Sequence, residues 1–85
     1  MYSPRFEKYI HVTRHARERM ASRNVSEDEL AILIEKGALK YKDATRLWAA
    51  HHFGNRSDNL VSVAAIIEDK LVVKTVMHYF HWEGE

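Results

Sequence analysis

The chain has no cysteine. That removes disulfide staples, thiolate zinc sites and thiol nucleophiles together. Proline occurs once, at Pro4, and glycine only at Gly37, Gly54 and Gly84. Gly54 falls in a turn and Gly84 in the tail, so no glycine-rich loop is available to cradle a phosphate and no nucleotide-binding signature is present. Long apolar runs are missing as well. The stretch Val63–Ile67 is far shorter than the roughly 20 residues that a membrane-spanning helix needs. The opening MYSPRFEKYI carries charges where a signal peptide needs an apolar segment, so a cytoplasmic protein without a membrane partner is expected.

What is present is an ordinary globular composition, 46% hydrophobic and 29% charged over 85 residues. This length predicts one small α+β domain over residues 1–85, with 1–7 as a flexible arm around Pro4. So short a chain buries a thin core, and a homodimer or a tight partner is a natural source of extra stability. The net charge is only +1, but it is unevenly placed. Residues 1–24 hold six cations against two glutamates, a local balance of +4, and the remainder balances to −3. A patch of this size suits one or a few phosphates rather than a wrapped duplex.

The pattern along the chain predicts a short first strand over Lys8–Val12 and a helix over Arg14–Arg23 with Thr13 as its N-cap. Asn24-Val25 breaks that helix. Ser26 and Glu29 form a capping box for a second one, whose buried stripe is Leu30, Leu33 and Ile34, with Gly37 as a C′ glycine. Strands follow over 38–42, 46–53, 60–67 and 71–80, separated by the dense turn signal 54–59 and by Glu68-Asp69-Lys70. The short links predict an antiparallel meander of three or four strands with the two helices on one face. In the last strand, alternation groups Leu71, Val73, Thr75, Met77 and Tyr79 as the face turned toward the helices.

His15, Arg19 and Arg23 are each four residues apart, so on a helix they drift by only about 40° per step and share one stripe. An imidazole that titrates near neutrality moves protons, and guanidiniums engage phosphate oxygens in pairs. Together they are minimal equipment for metal-free RNA cleavage, in which a base takes the 2′-hydroxyl proton, an acid protonates the leaving oxygen and cations hold the phosphate. The same stripe is also what a solvated helix face looks like, and both readings stand on spacing alone. Arg14 and Arg17 fall on other sides of the helix.

Six histidines, at 11, 15, 51, 52, 78 and 81, raise the question of a metal. Their spacings do not answer to one: no HExxH pattern occurs and no carboxylate sits at a ligand-like offset from a histidine pair. No metal and no cofactor are expected. The segment 74–82 adds Thr75, His78, Tyr79 and Trp82 near one strand end, where an imidazole or phenol can donate a proton and an aromatic ring can stack a base. Core or interface packing of Tyr79, Phe80 and Trp82 is the plainer reading.

The run Thr13-Arg14-His15-Ala16-Arg17-Glu18-Arg19-Met20-Ala21-Ser22-Arg23-Asn24-Val25-Ser26 resembles the opening of a bacterial family, domain-of-unknown-function family 4258. That family's helix carries a His-Ala-x-x-Arg-Met-x-x-Arg pattern, followed by an apolar residue and Ser. Its late strand carries a Val-x-Thr-Val motif, matched by Val73-Lys74-Thr75-Val76. Asn24 stands where glycine is commoner, and Asn also tolerates a left-handed turn. The family is similar in layout to the RelE, ParE and BrnT toxins and to the barnase, EndoU and colicin group of ribonucleases. The resemblance implies a toxin-like, metal-independent endoribonuclease of a toxin–antitoxin kind, a hydrolase acting on RNA such as ribosome-associated mRNA and restrained by an antitoxin protein. Its implied site is His15, Arg19, Arg23 and Thr75, completed by His78 or Tyr79. A non-catalytic basic module that grips an acidic protein or a nucleic acid is the alternative.

Overall fold

Two capped helices stand between a paired N-terminal segment and a run of four strands in the computed structural model, which describes residues 1–57 and 61–78. Helix α1 spans Arg14–Ser22 and α2 spans Glu27–Lys36. Thr13 begins α1 as expected, its Oγ1 accepting from the amide of Ala16 at 3.1 Å. The helix ends on Asn24, whose φ of 54° is left-handed. Val25 N–H then reaches back to the Met20 carbonyl at 2.9 Å and Asn24 N–H to Ala21 at 3.3 Å, the pairing of a Schellman stop. Met20 and Val25 are both buried in the core, which supplies the apolar contact of that motif.

The capping box of α2 is complete, with Ser26 Oγ accepting from Glu29 N–H and Glu29 Oε1 accepting from Ser26 N–H. Glu27, Asp28 and Glu29 sit in its first turn, at the positive end of the helix dipole. Leu30, Leu33 and Ile34 are buried, each contributing on the order of 1.5–3 kcal/mol by leaving water. Gly37 follows, but not as a left-handed cap: its φ is −66°. It is glycine because a Cβ would stand 2.3 Å from the Leu33 carbonyl oxygen and 3.0 Å from that of Ala50.

The strands are β1 (Tyr2–Ser3), β2 (Lys8–Val12), β3 (Ala38–Tyr41), β4 (Arg46–His51), β5 (Val61–Ile67) and β6 (Leu71–Met77). Strands β3 to β6 make the expected antiparallel meander. The expected three- or four-stranded antiparallel sheet is nevertheless too small and too uniform. The sheet has six strands in the order β1-β2-β6-β5-β4-β3, and β2 lies parallel to β6. Such a pairing joins strands distant in sequence through a crossover, and no local residue pattern announces it.

Residues 1–7, expected as a flexible arm, are anchored. Tyr2 and Ser3 pair with Tyr9 and Lys8, and Ser3 is fully buried with its hydroxyl donating to Glu35 Oε2. Arg5 Nη1 donates to the carbonyls of Ile34 and Gly37 at 3.1 and 2.7 Å, which satisfies the end of α2.

The helices cover one sheet face. The core joins Ala16, Met20, Leu30, Leu33 and Ile34 to Leu47, Ala49, Val63, Leu71, Val73 and Val76. The expected grouping of Leu71, Val73, Thr75 and Met77 on that face fails after Val73. Ala65 pairs with Val73, but Ala64 pairs with Thr75, so Lys74 is an extra residue in a β-bulge. The bulge resets the alternation, and Val76 is the residue buried in the core.

Candidate functional site

The bulge decides where Thr75 goes. Cross-strand partners share a face, and the register sets Thr75 beside Ala64 and Ala64 beside Trp48. Beyond Val73, which pairs with Val12, β6 has no strand on its outer side among the described residues. The start of α1 lies there instead: Thr13 N–H donates to the Val73 carbonyl at 3.2 Å and Thr13 Oγ1 to that of Lys74 at 3.3 Å. His15, two residues on, thereby meets Thr75, with Nε2 3.3 Å from Thr75 Oγ1. The helix residue and the strand hydroxyl, 60 positions apart, are in hydrogen-bonding contact.

Around this pair the electrostatics favour an anion. Unlike α2, helix α1 has no acidic residue in its first turn, so the partial positive charge of its N-terminus is uncompensated there. Along the helix, Arg19 lies roughly 6 Å of axial rise beyond His15, and Arg23 follows as the C-cap residue.

The four arginines in or just after α1 differ in their partners. Arg14 pairs with Glu18 at 3.7 Å and Arg17 with Glu27 at 3.9 Å. Arg19, exposed in the last turn, has no side-chain partner among the described residues. Arg23 is half-buried, and its Nε and Nη1 are buried without a hydrogen-bond partner among the described residues. The two arginines off the stripe each face a glutamate, and among the described residues no carboxylate faces the two on it.

One residue that holds this arrangement carries no sequence signal. Arg56, beyond the end of β4, donates from Nη2 to the Arg23 carbonyl at 2.9 Å and from Nη1 to the Asn24 carbonyl at 2.7 Å. It also faces Glu29 at 3.4 Å, with side chains only 13% and 18% exposed, against 95% and 62% for Arg14 and Glu18. Arg56 thus caps α1 and ties its end to α2.

Of the other expected site residues, His78 follows β6 directly and is half-buried. Tyr79 lies outside the described residues, as do His81 and Trp82. Among the described residues, no cluster of three or more His, Asp or Glu could hold a metal ion. No helix among them is long and apolar enough to cross a membrane.

A protein-family model described as "Domain of unknown function (DUF4258)" matches residues 12–78, from the end of β2 through His78. No curated protein and no solved structure matches the chain.

Proposed function

The chain belongs to the DUF4258 family, and because that description states no activity, we propose from the site itself that the protein is a small, metal-independent endoribonuclease of toxin type. The observation that carries this reading is the contact of His15 Nε2 with Thr75 Oγ1 at 3.3 Å, on the helix whose end carries Arg19 and Arg23, which no carboxylate engages among the described residues. The reading rests on these residues and not on the likeness in layout to RelE-, ParE- and BrnT-type toxins.

In the proposed reaction the 2′-oxygen of a ribose attacks the adjacent phosphorus. The P–O2′ bond forms and the P–O5′ bond breaks, leaving a 2′,3′-cyclic phosphate and a 5′-hydroxyl. The 2′-hydroxyl proton goes to a base, and the departing 5′-oxygen takes a proton from an acid. His15 supplies one of these roles. Thr75 positions its ring through Nε2, and His78 or Tyr79 is the candidate for the other role. Arg19 and Arg23 hold the phosphate as negative charge accumulates on its oxygens. The partners are then RNA and, for a cell that makes the protein, an antitoxin.

The purified protein, incubated with RNA in EDTA, is expected to yield fragments ending in 2′,3′-cyclic phosphate. His15→Ala should reduce the rate by roughly 10²–10⁴-fold, the usual contribution of one acid or base. Arg19→Ala should also lose activity, whereas Arg17→Ala should not. Cleavage that His15→Ala leaves intact rules the mechanism out. If instead a captured partner is retained by His15→Ala and lost with Arg19→Ala and Arg23→Ala, the protein is a non-catalytic basic binding module.

A further inference from the structure

The sheet face away from the helices carries an open cleft of about 180 Å³. Its floor is Ala64 and Ile66, and its walls include Trp48, Lys42, Arg46 and Lys74. Three features give it chemical character. Trp48 is half-buried and presents an aromatic surface at the cleft. Lys42 and Lys74 are exposed and form no ion pair among the described residues. Arg46 is already engaged by Asp43, at 2.6 Å from Nη2 and 2.7 Å from Nε, so it acts as a wall and not as a spare cation.

The cleft and the His15–Thr75 pair are joined by the bulge. Lys74, the extra residue, lines the cleft, and its chain neighbour Thr75 touches His15. Thr75, Ala64 and Trp48 form one cross-strand row over β6, β5 and β4. With about 4.8 Å between neighbouring strands, Trp48 stands roughly 10 Å from Thr75. That distance is within reach of the nucleotide or two next to a phosphate held at His15.

We propose that this cleft binds one unpaired nucleotide of an RNA strand, its base stacked on Trp48 and its flanking phosphates held by Lys42 and Lys74. The proposal rests on the ribonuclease reading for the direction of the strand, and it names single-stranded RNA as the substrate class. Stacking on a tryptophan needs a base free of its partner, and a base inside an A-form duplex offers no such face. The pairing of lysine charge with an aromatic wall and a small apolar floor suits a base with its phosphates better than a purely anionic ligand.

The test uses full-length Trp82→Phe protein, in which Trp48 is the sole tryptophan, and a 2′-O-methyl RNA hexamer that cannot be cleaved. Saturable quenching of Trp48 by the hexamer, absent with a duplex of the same sequence, is the expected result. Binding of labelled hexamer to the otherwise unaltered chain, followed by anisotropy, should weaken roughly five- to hundredfold in Trp48→Leu, the range for loss of one base–aromatic stack. It should weaken further in Lys42→Glu/Lys74→Glu. No quenching together with unchanged anisotropy in Trp48→Leu overturns the proposal. So does equal quenching by the duplex, and equal quenching by oligoglutamate would assign the cleft to acidic peptides instead. Quenching without any cleavage by the parent protein leaves the nucleotide site standing and removes the ribonuclease reading. Cleavage with KM unchanged by Trp48→Leu does the reverse.

Discussion

Arg56 Nη2 donates to the carbonyl of Arg23 at 2.9 Å, so a turn residue closes the helix on which the candidate site is built. The same guanidinium bonds Asn24 and faces the half-buried Glu29, so at least three interactions depend on one side chain. Arg56→Ala leaves two helix-end carbonyls and a carboxylate without their cation. It is expected to destabilise the fold by about 1.5–3 kcal/mol, the range for hydrogen bonds to a charged group. Urea denaturation checks this, with Arg14→Ala, whose pair is solvent-exposed, expected to change stability by less than about 0.5 kcal/mol.

Arg23 predicts an opposite movement of stability and function. Among the described residues its Nε and Nη1 are buried and unbonded, an arrangement that costs about 1–3 kcal/mol when a polar group is left so. Arg23→Met keeps the apolar stem and removes the orphaned donors. The thermal midpoint is expected to rise while RNA cleavage or binding falls. A fall in both would mean that the guanidinium holds the fold together and is not kept for a ligand.

Gly37→Ala is expected to destabilise by about 1–3 kcal/mol, because the new methyl meets the Leu33 and Ala50 carbonyls at 2.3 and 3.0 Å. The backbone itself accepts alanine there, at φ −66°. A loss of stability without any change in helix content by circular dichroism separates this collision from a capping defect.

Much of this chain could be read from residues alone, and the limits have identifiable causes. The capping pairs Thr13–Ala16 and Ser26–Glu29 each act across three positions, so their roles are visible in sequence order. The His15 stripe is legible for the same reason. The parallel β2–β6 pair, the Ser3–Glu35 bond and the cap supplied by Arg56 all join residues 30 or more positions apart. Nothing local marks them. The bulge is local but has no composition of its own, since Lys74 is an unremarkable strand residue, and missing it misassigned the faces from Thr75 onward. Thr75 was legible as a partner for His15 only through the family resemblance.

The turn between β3 and β4 predicts a pH effect. Asp43 accepts from the Arg46 guanidinium and from the amides of Thr45 and Arg46, and these contacts hold its carboxyl well below the usual carboxylate range. A depressed folded-state value contributes stability above the unfolded carboxylate range, and that contribution is lost as pH falls through the folded value. Asp43→Asn should therefore be less stable than the parent at neutral pH, and the two should converge in strong acid. Parallel curves at every pH would show that the carboxylate charge is not what organises this turn.

The bulge at Lys74 carries one more consequence, for chain length. Because it adds a residue to β6 and none to β5, everything after it arrives one step later along the sheet than an unbulged strand would bring it. Deleting Lys74 would thus be more than the loss of a positive charge. Thr75 would then follow Val73 directly and still pair with Ala64, so Val76 would keep its inward position while the strand lost its local bend and extra twist. The bulge is in this way a removable insertion, and a one-codon deletion would straighten β6 with Thr75, Val76 and Met77 still opposite Ala64, Val63 and Ser62.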